Sequence, residues 1–90
     1  MAIFKLALAG AGRMGRNHLR AIAESDRIRV TAIAEPGTAA RASLQGTDAK
    51  VYADLEAMLD AGGFDAVLVC VPSDVHLQTI RRLVASGIPI

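Results

Sequence analysis

Apolar positions fall in short bursts separated by amphipathic stretches, and this alternation runs the length of the chain. Ile3–Ala9 is apolar except at Lys5 and reads as a first strand. From about Arg13 to Glu24, Gly15, Leu19, Ile22 and Ala23 fall at the i, i+4, i+7, i+8 spacing of a helix with one buried stripe. A second apolar run, Ile28 to Ala34, places the second strand at Arg29–Glu35. Pro36-Gly37 breaks it. Thr38 then stands where it can cap a short alanine-rich helix reaching about Gln45, with Gly46 as its stop.

The second half continues in the same manner. Lys50–Tyr52 reads as a brief third strand. Asp54 is placed as the N-cap of a helix that turns Leu55, Met58 and Leu59 inward and ends at Gly62-Gly63. Ala66–Val71 is a continuous apolar run, as expected of a parallel strand covered on both faces. Pro72-Ser73-Asp74 breaks it and opens a last helix, with Ser73 as candidate cap and Ile80, Leu83 and Val84 as the buried stripe. Gly87 closes that helix, and Ile88-Pro89-Ile90 looks like the start of a fifth strand. Strands alternating with helices predict an α/β fold, a parallel sheet with right-handed crossovers and helices on both faces. The expected strand order is 3-2-1-4, with a ligand at the carboxyl ends where the first and fourth strands meet.

The join between the first strand and first helix carries the candidate chemistry. Gly10-Ala11-Gly12-Arg13-Met14-Gly15 is a G-x-G-x-x-G that follows an apolar strand and opens a helix. Gly10 permits the tight turn, Gly12 leaves the backbone open to a pyrophosphate, and Gly15 lets the helix lie close to the strand. The helix N-terminus adds free N–H groups and partial positive charge. Glu35 ends the second apolar run twenty positions after Gly15. The dinucleotide fingerprint expects an acid about 20 residues on, bonded to the adenosine ribose. A solvated strand end is the plainer reading of the same residue. The whole pattern is Rossmann-like, and residues 1–90 read as the N-terminal part of one dinucleotide-binding domain.

Composition narrows the partners. The chain has 90 residues, an apolar fraction of 52% and no Trp, so its core must be built from Ala, Val, Ile and Leu. A net charge of +1 gives no reason to expect a nucleic-acid or membrane partner. One cysteine excludes an internal disulfide, and Cys70, inside an apolar run, is expected to be a buried inert thiol. Two distant histidines and that cysteine do not make a metal site. No signal peptide is expected, and no apolar run approaches the roughly 20 residues that span a bilayer. A soluble, cytoplasmic protein is the expectation. Asp54 and Asp74 read as helix-capping groups, Arg81-Arg82 as a solvated helix face, and His18 as structural or partly exposed.

The chain resembles the N-terminal domain of the glucose–fructose oxidoreductase / inositol dehydrogenase (Gfo/Idh/MocA) family in four stretches. These are Gly10–Gly15 with His18 following, Ala34-Glu35-Pro36, Val51–Leu59, and Val71-Pro72-Ser73-Asp74-Val75-His76, the last leading to Ser86-Gly87-Ile88-Pro89. The resemblance implies that Gly10, Gly12, Arg13, Met14 and Gly15 contact the pyrophosphate, chiefly through backbone. It implies that Glu35 holds the adenosine ribose and that Val71 and Pro72 border the nicotinamide half, with His76 nearby. His76 reads equally as a half-buried histidine bonded locally, and a proton-transfer role would need geometry to support it. Where the family often has Asp, this chain has Glu35; its charge still opposes a 2′-phosphate, so NAD is expected rather than NADP.

The family's fifth strand leads into a Glu-Lys-Pro motif whose lysine acts in catalysis, and a second α/β domain supplies the substrate site. The sequence stops at Ile90, before both. The implied parent is an NAD-dependent oxidoreductase that moves hydride between nicotinamide and a hydroxylated carbon of a sugar or polyol. These 90 residues alone are expected to lack catalytic residues and activity. A stand-alone dinucleotide-binding module is the alternative from another class, and a dihydrodipicolinate reductase-like reductase is a third. The small-molecule substrate belongs to the full-length protein. Self-association is expected of the isolated chain, because the fourth strand would lie at or near a sheet edge.

Overall fold

The computed structural model describes residues 3–44 and 47–90. Its elements are β1 (Phe4–Ala9), α1 (Arg13–Ile22), β2 (Ile28–Ala34), α2 (Thr38–Ala42), β3 (Lys50–Tyr52), α3 (Leu55–Ala61), β4 (Ala66–Val69) and α4 (Ser73–Ser86). The strands form one parallel sheet in the expected order, β3-β2-β1-β4. Small residues pave one face: Ala7, Ala9, Ala32 and Ala34, beside Val67, lie against Met58 of α3 and Leu83 of α4. The opposite face carries Leu8, Val30 and Ile33, packed against Leu19 and Ile22 of α1 and against Leu44. Helices thus cover both faces of the sheet.

Val30 and Ile33 share a face although they are three apart, because the register slips between them. Leu6 pairs with Val30 but Ala7 pairs with Ala32, leaving Thr31 as the extra residue of a bulge. Its hydroxyl oxygen is buried and has no hydrogen-bond partner among the described residues.

Several boundaries differ from the sequence expectation, each for a local reason. β1 begins at Phe4, since Ile3 is outside the ladder and 41% exposed. α1 stops at Ile22, not Glu24, because its end tightens: the Ser25 N–H donates to the Ile22 carbonyl at 2.9 Å. Its stripe is shallow, with Gly15 buried, Leu19 and Ile22 half-buried and Ala23 exposed. Beside that far end a cavity of about 330 Å³ opens toward Ile28–Val30 and Thr47–Ala49. β2 ends at Ala34, one residue before Glu35. Gly37, not Thr38, caps α2, and Thr38 is already helical. α2 runs to Ala42 with Ser43 as C-cap; the expected end at Gln45 and stop at Gly46 lie outside the described residues.

Asp54 is the N-cap expected, accepting the Ala57 N–H at 2.8 Å. β4 reaches only Val69. One further bond, from the Cys70 N–H to the Ala9 carbonyl at 2.7 Å, precedes Pro72, which has no N–H to donate. Pro72 rather than Ser73 is the N-cap of α4, and Asp74 lies in its first turn, where a carboxylate complements the helix dipole without capping. The buried face of α4 is rotated from the expected stripe. Leu83 is buried and Val75, Thr79 and Ile80 are half-buried, while Val84 is 65% exposed. Residues 88–90 form no strand; the Val67 N–H donates to the Pro89 carbonyl at 2.9 Å, and Pro89 has no N–H of its own. Of the arginine pair, Arg82 is not merely solvated: its Nε donates to Glu56 of α3 at 2.5 Å.

Candidate functional site

The chain leaves β1 at Ala9 and turns through Gly10 with φ +93°. A side chain there would be strained, and a Cβ would come within 2.5 Å of the Cys70 carbonyl oxygen. The Gly10 N–H donates to the Ala34 carbonyl at 2.8 Å, so the turn bridges the ends of β2 and β4. Gly15, inside α1, is held by a different contact: a Cβ would overlap the Gly10 carbonyl oxygen. These two glycines are required by close packing.

Gly12 is not. It has φ −71° and ψ −160°, it is exposed, and a Cβ on it would meet nothing within 4 Å. The fold leaves room for a side chain here, and the bare backbone is open to solvent. Gly12 is also the N-cap of α1 with no side-chain acceptor, and the first intrahelical bond runs from the Arg16 N–H to the Gly12 carbonyl at 2.9 Å. The N–H groups of the first turn therefore have no intrahelical partner. No acidic residue stands in that turn, and Arg13 does. An open backbone, unpaired donors and a first turn without an acid form an anion cradle that fits a pyrophosphate.

Glu35 stands beside this cradle and is buried, at 9% exposure. One carboxylate oxygen, Oε1, accepts the Ala11 N–H at 2.8 Å, and Oε2 accepts the Gly37 N–H at 2.7 Å. Its own N–H donates to the Tyr52 carbonyl at 2.9 Å. Its carbonyl accepts from Arg41 Nη1, also at 2.9 Å. The reading of Glu35 as a solvated strand end is therefore wrong. Each carboxylate oxygen keeps lone-pair capacity beyond its one backbone bond, which is what a pair of ribose hydroxyls would need.

The remaining expected residues divide. Arg13 and Met14 are exposed at the start of α1, Met14 at 65%, which suits contact through backbone. Half-buried Val71 and exposed Pro72 follow Cys70 and so stand next to the glycine turn. His76 falls at helical spacing with Ile80 and Leu83, but near the start of α4 it is exposed, so the half-buried reading does not hold. Among the described residues no hydrogen bond joins it to the glycine turn or to Glu35. His18 is exposed. Cys70 is half-buried rather than buried, and burial pushes its thiol above the ordinary value of 9.0. Among the described residues no group of three His, Cys, Asp or Glu could hold a metal ion, and no helix is long and apolar enough to cross a membrane. The cavity beside α1 excludes the glycine turn.

Sequence reasoning missed Ala11, Gly37 and Arg41 as partners of Glu35. Gly37 and Arg41 carry a faint signal, since a glycine two residues after the acid and an arginine six after it fall within one turn and one short helix. Ala11 contributes only its backbone N–H, which leaves no trace in residue type.

Comparison with known proteins gives a consistent set. The family model described as "Oxidoreductase family, NAD-binding Rossmann fold" (GFO_IDH_MocA) matches residues 4–90. The rhizopine catabolism protein MocA of Rhizobium meliloti is 43% identical over 90 residues, covering 100% of this chain and 28% of that protein. An inositol 2-dehydrogenase of Rhizobium meliloti (strain 1021) is 31% identical over 83 residues, 92% of this chain and 25% of the relative. The fold superposes with a TM-score of 0.86 on the WlbA dehydrogenase of Bordetella pertussis, solved in complex with NADH and UDP-GlcNAcA. Identity there is 30%, covering 96% of this chain and 27% of that one. The chain thus spans roughly a quarter of the length of these relatives.

Proposed function

The chain belongs to the Gfo/Idh/MocA oxidoreductase family, and we propose that it forms the NAD-binding half of a dehydrogenase acting on a hydroxylated carbon of a sugar or polyol. The observation that carries this reading is the contrast among the glycines. Gly10 and Gly15 are demanded by packing, whereas Gly12 is demanded by nothing in the fold and opens onto the free N–H groups of α1. Pyrophosphate would lie there, held by backbone donors from Gly12 to Gly15 with Arg13 adding charge. Glu35 would accept from the ribose hydroxyls. Val71 and Pro72, at the end of β4, would border the nicotinamide, with exposed His76 beyond them on α4.

When bound, NAD supplies the hydride acceptor for alcohol oxidation. The work of these 90 residues is to bind and orient it; we assign them no proton transfer. The reading favours NAD over NADP because a ribose held by the buried Glu35 would bring a 2′-phosphate against a carboxylate. The relatives named for inositol and the neighbour solved with a nucleotide sugar support a polyhydroxylated substrate class. Calorimetric titration of the chain with NAD and NADP tests the proposal. Saturable binding of NAD, tighter than that of NADP, is expected; a folded chain that binds neither refutes it.

A further inference from the structure

Arg41 closes a ring of hydrogen bonds around Glu35. Its Nη1 lies 2.9 Å from both the Glu35 and the Pro36 carbonyl oxygens, one hydrogen for each. Its backbone N–H donates to the Gly37 carbonyl at 2.9 Å, and the Gly37 N–H in turn donates to Glu35 Oε2 at 2.7 Å. Two carbonyl oxygens that converge on one point repel each other unless a donor stands between them, and here Nη1 of the half-buried Arg41 does, with its charge strengthening both bonds. The turn it closes is tight: a Cβ on Gly37 would sit 3.0 Å from Glu35 Oε2. Without the guanidinium the carbonyls would lose their shared donor, the turn at Pro36-Gly37 would be free to open, and the carboxylate would lose one of its two fixed donors.

We infer that Arg41 is a positioning residue for the adenosine-ribose end of the site, holding the Glu35 carboxylate against the glycine turn. The inference rests on the dinucleotide reading above. Nη1 is committed to backbone carbonyls, so a positioning role acts on NAD and NADP alike, whereas a 2′-phosphate receiver would use the remaining Nε and Nη2 donors and affect NADP alone.

The test is calorimetric titration of the full 90-residue chain, wild type beside Arg41→Ala and Arg41→Lys, with NAD, NADP and AMP. Arg41→Ala should weaken NAD and AMP alike by about tenfold, the effect of losing a charge-assisted pair of bonds. NADP should weaken by the same factor. Arg41→Lys, which keeps the charge but not the planar fork, should recover part of the loss. A purely structural role would lower the unfolding midpoint while leaving the affinity of the folded chain unchanged, and that result overturns the inference. A loss confined to NADP also overturns it, since it would make the guanidinium a phosphate receiver. If Arg41→Ala does not fold, Arg41→Lys decides: a severalfold loss for both NAD and AMP supports the inference, and wild-type affinity refutes it. A wild-type chain that binds no NAD removes the dinucleotide reading and this inference together, whereas wild-type binding with unchanged variants removes the inference alone.

Discussion

Glu35 accepts the Ala11 N–H through Oε1 at 2.8 Å, a buried bond that spans 24 residues of sequence and ties the glycine turn to the end of β2. With Oε2 on the Gly37 N–H, the carboxylate is held at both oxygens by backbone donors. The acid is therefore a structural part of the glycine turn as well as our proposed ribose acceptor.

Glu35→Gln separates these roles from simple shape. The amide has nearly the same outline but puts an NH2 where an acceptor is needed, so one of the two N–H groups loses its partner. A cost of about 1–3 kcal/mol is expected for a buried donor left unpaired. Urea unfolding of the variant should show it, together with weaker NAD binding. A variant as stable as wild type would contradict the arrangement.

The glycines make a sharper contrast. Gly12→Ala should leave stability within about 0.5 kcal/mol, because its Cβ meets nothing within 4 Å. It should nonetheless weaken NAD by an order of magnitude or more, by keeping the pyrophosphate off the backbone. Gly10→Ala should instead lose stability. At φ +93°, with the Cys70 carbonyl oxygen 2.5 Å from the new Cβ, it should cost at least about 2 kcal/mol. Denaturation midpoints and NAD titrations on the same two proteins check both halves.

Much of this was legible in sequence because it is carried by residue type at fixed spacing. The strand order followed from alternation, and Asp54 from its place before Leu55. The misplacements have physical causes. Val84 lies at the expected helical spacing from Ile80 and Leu83, but α4 is rotated so that Val75 and Thr79 are half-buried and Val84 is exposed. The bulge at Thr31 puts Val30 and Ile33 on one face, against strand period, and no local residue pattern announces it. The ring around Glu35 was hidden because most of its members act through backbone atoms.

Cys70 offers a pH-dependent readout. Burial raises its thiol above the ordinary 9.0, so the protonated form is favoured in the folded chain. The sign follows directly: the stabilisation is fully present below the unfolded thiol's value and is lost as pH rises through the folded one. Alkylation by iodoacetamide should be slow at neutral pH, faster above the raised value, and faster still after unfolding. Rapid alkylation of the folded protein at neutral pH would show an exposed, activated thiol instead.

Self-association remains our proposal for the isolated chain. α4 exposes Leu77 at 61% and Val84 at 65%, seven residues apart and so on one helical face. The outer edge of β4 is met by the Pro89 carbonyl alone among the described residues. Exposed apolar faces and open edges pair with other copies. Sedimentation in the upper micromolar range should show dimers or larger species that Leu77→Lys with Val84→Lys reduces. A monodisperse wild-type monomer would rule this out.

We propose that the dinucleotide lies on the glycine turn, and residue-resolved amide NMR of the chain during NAD titration tests that placement. Saturable shifts are expected at Gly10–Gly15, Glu35 and Gly37, with NADP producing them more weakly. Shifts clustered at Leu19, Ile28 and Asp48, around the cavity beside α1, or no saturable shifts at all, would contradict it.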